Sequence, residues 1–264
     1  MIDLELRRDP EFSPNIGEFP KSCDANVTED TIFFEDGVPV GFYLTRLRSE
    51  VLPILNKMNS EFMSSRVPKT KMARGTLRQA IQRKQPRRVR QYSTIIGAIP
   101  AKPHFKRYTS RVSAVHRETK AREFCRQGMM LAKATEIEYS KYLPELFSAQ
   151  KSGVTETVPN RLRLTDLFTS SISNANISAP FHQDNGNIRG SVNAIYTRKN
   201  RCEGGFLTIP EYRVVVETSN NSLLMYPAWR NVHGVTPIIP TGYGGYRNSF
   251  VFYSLGRLMQ GISP

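Results

Sequence analysis

Two of the chain's four histidines, His182 and His233, stand where they could share a metal ion. His182 lies two residues before Asp184 in "SAPFHQDNGNIRG". On an extended strand, residues two apart project to one face, so an imidazole and a carboxylate would converge on one point. His233 follows 51 positions later, just after "SLLMYPAW". Two histidines and one carboxylate make a facial triad. It leaves three positions of an octahedron open and suits non-heme Fe(II). A structural zinc site would take four protein ligands, usually cysteines among them. The three cysteines here, Cys23, Cys125 and Cys202, are too scattered for that. The bland alternatives are a His182 that caps a loop and a His233 that packs in a core.

A second signal comes fourteen residues after His233, where Arg247 opens the apolar run "YRNSFVFYSL". Enzymes that pair Fe(II) with 2-oxoglutarate hold the far carboxylate of that co-substrate with an arginine on a late strand. The planar guanidinium suits the task because it makes paired, charge-assisted hydrogen bonds. Ser249, two positions on, shares the face and offers a hydroxyl. The alternative for Arg247 is an exposed arginine at a strand end.

Such residues need a rigid frame. From Leu162 onward short β-type runs alternate with turn signals: "LTDLFTSSI", "GSVNAIYT", "GGFLTI", "RVVVET", "SLLMYP" and "NSFVFYSL". Many short strands predict a sandwich or barrel. Upstream, residues 1–30 are acidic and turn-rich and read as a wrapping arm. "DTIFFEDGVPVGFYL" predicts two strands around Asp36-Gly37. Leu44, Leu47, Val51, Leu52, Leu55, Met58 and Phe62 recur at helical spacing, with Thr45 or Ser49 as cap and Pro53 in the first turn or at a kink. "RQYSTIIGAIPAKP" reads as a strand followed by a Pro-rich loop. The longest helical pattern, "ETKAREFCRQGMMLAKATEIEYSKYLPELFSAQ", breaks or bends near Pro144, with Phe124, Met130, Leu131, Ala134, Ile137 and Leu143 as its core stripe. The expected class is α+β. Residues 1–65 form an N-terminal extension with hairpin and helix. Residues 66–264 form a basic segment plus the β-rich catalytic domain, most easily one compact unit.

Composition narrows the function classes. The chain has 264 residues, 39% of them hydrophobic, and a mean hydropathy of -0.41, as for a soluble globular protein. No run approaches the roughly 18 apolar residues of a membrane span. The opening "MIDLELRRDPEF" lacks the apolar stretch of a signal peptide, and an odd, scattered cysteine set argues for a reducing, intracellular setting. The formal net charge is +14. Residues 66–122 carry 17 Lys or Arg against the single acid Glu118, a segment charge of +16. The rest, with 20 basic and 22 acidic residues, is -2. A solvated face or a localisation-type patch in "RKQPRRVR" is the ordinary reading of a charge run. A block this one-sided suits a polyanion better, because phosphate contacts release counterions. Tyr92, His104, Phe105 and Tyr108 within it could stack on bases.

Together "APFHQDNGN", "CEGGFLTIPEY", "LLMYPAWRNVHGVTPI" and "YRNSFVFYSL" resemble the TET/JBP group of Fe(II)/2-oxoglutarate DNA-base dioxygenases, above all its short bacteriophage and microbial 5-methylcytosine oxidases. The group's order is a strand with "FT" and an Asn, then His-X-Asp with an Asn shortly after. A Gly-Gly turn leading to "PEY", a histidine before "G…P" and an arginine on the last core strand complete it. "LFTSSISNANISAPFHQDNGN" matches the first part. The resemblance covers residues 165–257 well and 88–257 loosely. It implies a double-stranded β-helix (jelly-roll, cupin-like) core with supporting N-terminal helices. It further implies Fe(II), 2-oxoglutarate and O2, and oxidation of a methyl group on a base in DNA.

The resemblance matches His182, Asp184 and His233 to the iron ligands, and Arg247, supported by Ser249, to the 2-oxoglutarate anchor. Asn187 matches the asparagine that hydrogen-bonds the extruded base; a turn residue is the alternative. One of Asn174 and Asn176 faces the co-substrate or caps a strand end. Arg74, in "ARGT", loosely matches an upstream arginine. The vertebrate cysteine-rich zinc-binding part has no counterpart, so the grip on DNA falls to the basic block. The implied substrate is 5-methylcytosine, giving 5-hydroxymethylcytosine and further oxidation products, with thymine to 5-hydroxymethyluracil as the alternative. Either base would be flipped from the stack. The implied setting is the cytoplasm of a bacterial or phage-infected cell, or a nucleus. A hydroxylase of proteins or small molecules and a non-catalytic nucleic-acid-binding protein on the same fold remain as other readings.

Overall fold

Alternation of side chains along short strands builds this molecule, and the computed structural model describes it over residues 1–13, 16–71, 90–101 and 109–259. In chain order the first described elements are β1 (Ile2–Glu5), β2 (Thr31–Glu35), β3 (Val38–Leu44), α1 (Val51–Met63), β4 (Thr70–Lys71), β5 (Tyr92–Ile99), β6 (Arg111–Val112), α2 (Ala114–Arg117), α3 (Arg122–Tyr142) and α4 (Pro144–Thr157). Then come β7 (Ser170–Ala175), β8 (Asn193–Asn200), β9 (Cys202–Gly204), β10 (Leu207–Ile209), β11 (Val214–Val216), β12 (Ser222–Tyr226), β13 (Gly234–Val235), β14 (Ile238–Pro240) and β15 (Tyr246–Tyr253). A large sheet runs in the order β1-β2-β3-β12-β8-β15-β7-β5-β4, with β6 on β5. The small facing layer consists of β11-β10-β13 and the pair β14-β9. Two facing sheets with helices on one side give the expected α+β double-stranded β-helix.

The large sheet packs apolar side chains on both faces. Outward, Ala194, Tyr196, Leu223, Met225, Phe250 and Phe252 pack against Leu55, Met58 and Phe62 of α1 and Phe124 and Leu131 of α3. Inward, Tyr43, Ile195, Leu224 and Tyr226 meet Leu207, Ile209, Val214 and Val216 of the small layer. This packing sets the register of β15. A slip by one residue would turn Arg247 and Ser249 to the helix side and expel the fully buried Phe250 and Phe252. Each such aromatic contributes about 1.5–3 kcal/mol through burial, so the slip is strongly disfavoured.

The N-terminal strands extend the same large sheet, with β3 pairing to β12. Asp36 and Gly37 turn the β2–β3 hairpin, both at positive φ. Beyond β1 the chain wraps the small layer, with the Asn26 and Val27 amides donating to the Val215 carbonyl of β11 (3.0 Å each). It also pairs with the loop before His182: the Gly17 amide donates to the Phe181 carbonyl (2.9 Å), and the Phe181 amide to the Glu18 carbonyl (2.7 Å). α1 starts only at Val51 and has no side-chain cap. Thr45 instead donates its amide and hydroxyl to Asp30 Oδ1, each at 2.7 Å, and Leu44 ends β3. The long helical pattern divides at Leu143, with Pro144 in the first turn of α4, where a missing amide hydrogen is harmless. In the α3 stripe Phe124 and Leu131 are buried, whereas Met130 (40% exposed) and Ile137 (54%) are not. The buried face runs instead through Phe124, Gly128, Leu131, Thr135 and Tyr139, at three- and four-residue steps that leave Met130 and Ile137 off it.

Candidate metal centre and co-substrate pocket

His182 and His233 are brought together by the backbone before their side chains do anything. The two residues exchange amide-to-carbonyl hydrogen bonds, each of 2.9 Å, as an isolated antiparallel bridge. His182 is therefore paired locally in a loop rather than lying on a regular strand, and the Asp184 amide donates to the Ala228 carbonyl (3.0 Å). The ring centroids of the histidines are 4.2 Å apart, and His182 Nε2 lies 3.7 Å from Asp184 Oδ1. Ligand atoms of His182, Asp184 and His233 all fall within 4.8 Å of one another, so the three could hold one ion.

The neighbours prepare them for that. His182 Nδ1 bonds the Pro180 carbonyl (2.7 Å) and His233 Nδ1 the Asn231 carbonyl (2.9 Å). A carbonyl can only accept, so each Nδ1 carries the proton and each Nε2 keeps a lone pair for a metal. Burial first, and His182 second, hold His233 below the ordinary histidine range, which keeps its ring neutral. Asp184 Oδ2 accepts from Asn193 Nδ2 (2.8 Å), leaving Oδ1 toward the histidines. His233 is buried while His182 and Asp184 are partly exposed, so the group has one open side. That donor set fits Fe(II).

Arg247 is different. It is 3% exposed, and burial pushes its guanidinium down to about 10. Its Nε has no partner among the described residues, and its Nη2 makes only a long 3.5 Å contact to Thr218 Oγ1 there. Room for it comes from Gly205, where a Cβ would sit 2.6 Å from Arg247 Cδ. Gly205 has φ +71°, so "CEGGF" supplies both a turn and a slot for the arginine. Burying a cation without an anion is costly. A carboxylate ligand such as that of 2-oxoglutarate would remove the cost.

Strand register places the rest. Ser93, Asn174, Ser249, Thr197 and Ser222 form one row across the inner face of β5, β7, β15, β8 and β12. Thr197 Oγ1 is buried without a partner among the described residues. Ile195 of β8 and Leu224 and Tyr226 of β12 are covered by the small layer. On β5, β7 and β15, Ser93, Ile95, Ile172, Asn174, Val251 and Tyr253 are only half-buried, so the open side of the barrel lies there. Asn174 thus faces inward. Asn176 caps the strand end: its Oδ1 accepts from the Arg247 amide (2.8 Å) and its Nδ2 donates to the Arg90 carbonyl (3.2 Å). Asn187 stands on the same loop as Asp184, and its Nδ2 donates to Asn193 Oδ1 (2.8 Å). Arg74, His104, Phe105 and Tyr108 lie outside the described residues, as does much of the basic block. Sequence reasoning missed Asn193, Thr197 and Gly205. A lone amide heading the apolar run "NAIY" was the available signal for the first.

Residues 99–255 match the family Tet_JBP, described as the oxygenase domain of the 2OGFeDO superfamily. No curated protein matches the chain. Among solved structures the chain is similar to NgTET1 in complex with 5mC DNA, with a TM-score of 0.59 at 14% identity over 94% of this chain and 84% of that one. That likeness is one of fold. Lower scores go to a 2OG-Fe(II) oxygenase family oxidoreductase from Burkholderia pseudomallei (TM-score 0.42, 11% identity, 83% and 87% covered). A prolyl hydroxylase from Trichoplax adhaerens scores alike (0.42, 14% identity, 85% and 87% covered).

Proposed function

The chain belongs to the Tet_JBP family of 2-oxoglutarate- and Fe(II)-dependent oxygenases, and from that premise we propose that it hydroxylates the methyl group of 5-methylcytosine in DNA. The observation that carries the reading is the single loop holding His182, Asp184 and Asn187, which puts an amide able to read a base edge beside two metal-ligating side chains. The +16 segment between residues 66 and 122 supplies charge for a phosphate backbone, and the fold matches a protein crystallised on 5mC DNA.

In this reading His182 Nε2, His233 Nε2 and Asp184 Oδ1 hold Fe(II). Arg247 pairs with the far carboxylate of 2-oxoglutarate, and Ser249 and Thr197 offer hydroxyls to the co-substrate from the same face. When bound, iron and 2-oxoglutarate supply the oxidation: O2 is consumed, 2-oxoglutarate becomes succinate and CO2, and one oxygen atom enters the methyl C–H bond. The chain's own part is orientation and exclusion of water. The small layer seals one half of the inner face and leaves the half lined by β5, β7 and β15 for a flipped base.

The test is nucleoside mass spectrometry after incubating DNA with the protein, Fe(II) and 2-oxoglutarate, each omitted in turn. 5-Hydroxymethylcytosine that requires both supports the reading. 5-Hydroxymethyluracil in its place moves the substrate to thymine. Full turnover in His182→Ala or Arg247→Ala overturns the site assignment. No oxidised base, together with no DNA binding at moderate salt, overturns the substrate class.

A further inference from the structure

Asn193 is 1% exposed and heads β8 on the inner face, between Asp184 and Asn187. Its Nδ2 donates to Asp184 Oδ2 and its Oδ1 accepts from Asn187 Nδ2, both at 2.8 Å. The two bonds have a direction that chemistry dictates. An ionised carboxylate only accepts, so Asn193 must turn its NH2 toward Asp184. Its carbonyl oxygen then faces Asn187, and Asn187 must answer with its own NH2. The Asn187 amide is left with one N–H and its Oδ1 free of this chain of bonds, in one orientation. An unsupported asparagine would flip between two.

We propose that Asn193 is a positioning residue that transmits the polarity of the Asp184 carboxylate to the Asn187 amide, and so sets both the metal-ligating oxygen and the face of the amide offered to a base. The inference rests on the reading of Asp184 as ligand and Asn187 as base contact. It goes beyond that reading by assigning base discrimination to a residue that touches neither metal nor base. Cytosine and thymine present opposite donor and acceptor order at the ring edge carrying the exocyclic group, so a fixed amide favours one and a flipping amide tolerates both. The backbone holds the relay's outer member: the Asn187 amide donates to the Asp184 carbonyl (2.9 Å), and the Ile188 amide to the Ser254 carbonyl (2.8 Å).

The experiment compares wild type, Asn187→Ala, Asn193→Ala, the isosteric Asn193→Asp, Asn193→Thr and the double alanine variant. Mn(II) affinity is read without DNA, and the ratio of kcat/KM for 5-methylcytosine against thymine DNA is read with it. Asn193→Ala is expected to weaken Mn(II) binding about 10–100-fold, the range for an outer partner of a ligand. Asn193→Asp keeps the volume but sets a second carboxylate against Asp184, and is expected to weaken it more. Asn193→Thr, whose hydroxyl both donates and accepts, is expected to recover part of the affinity. The kcat/KM ratio in Asn193→Ala should fall to that of Asn187→Ala and go no lower in the double variant. Unchanged Mn(II) affinity in both Asn193→Ala and Asn193→Asp overturns the proposal, and so does a further fall of the ratio in the double variant. Wild-type selectivity in Asn187→Ala overturns the base-contact reading itself, and the DNA-free Mn(II) arm still decides the relay.

Discussion

The barrel contains two polar centres built on opposite plans, one open on a side and one enclosed. Around His182, Asp184 and His233, both Nδ1 atoms and one carboxylate oxygen already have partners, and only the metal-facing atoms are left over. Around Arg247, the guanidinium is enclosed, and among the described residues it has a long hydrogen bond to Thr218 and an Nε without a partner. The first centre is organised before anything binds. In the proposed function the second is completed by its ligand. The contrast teaches that a protein can meet the requirement of a metal, which is geometry, in the free state, and defer the requirement of an anion, which is charge, until binding.

The contrast breaks most sharply if Asp184→Ala keeps its metal. Loss of a proposed ligand should weaken Mn(II) binding by more than the ~10–100-fold of an outer partner and abolish turnover. Isothermal titration with Mn(II) and succinate release measure this. Next comes Arg247→Met, where the two centres should diverge in sign. The 2-oxoglutarate KM should rise about 100-fold, as charge-assisted hydrogen bonds of ~1.5–3 kcal/mol each are lost. The ligand-free protein should melt no lower than wild type, because a buried unpaired cation has gone. Steady-state kinetics and melts with and without 2-oxoglutarate check both; a lower ligand-free Tm would mean Arg247 is already paired. Gly205→Ala should act in the same direction through the guanidinium's position, raising that KM ~10-fold with Mn(II) affinity intact, read by the same kinetics and titration.

The smallest expected effect is on pH dependence. The folded state holds His233 neutral below the ordinary histidine value, so the unfolded chain takes up the proton first as pH falls. Metal-free stability is then complete above ~6.5 and is lost as pH drops from there toward the folded value, at less than about 1.4 kcal/mol per pH unit. Arg247 stays charged throughout this window and should add no slope. Denaturant melts of the metal-free protein between pH 7.5 and 5 measure it, with His233→Gln as the flatter comparison.

Much of the candidate site was legible because chemistry restricts residue type. His182, Asp184, His233 and Arg247 stood out as types that metal and carboxylate binding require, and the short β-runs that carry them fold as strands. Less legible were residues whose role lies in a neighbour. Asn193 reads as one polar residue in an apolar strand until Asp184 and Asn187 fall on either side of it. Gly205 reads as half of a turn until Arg247 occupies the missing Cβ. The helix α3 shows the same limit: its apolar count was evident, yet Ile137 stays exposed because the sheet meets the face through Gly128 and Leu131.

The sequence by itself determined the β-rich architecture through its periodicity, the family through its motifs, and the candidate ligand types through which side chains can bind a metal or a carboxylate. Tertiary structure alone decided how they are used. The His182–His233 bridge, the tautomers set by two backbone carbonyls, the buried guanidinium and the Asp184–Asn193–Asn187 direction all depend on contacts between residues distant in the chain or turned by loops. Hydrogen-bond direction and burial are properties of neighbours in space, and no spacing along a chain encodes them.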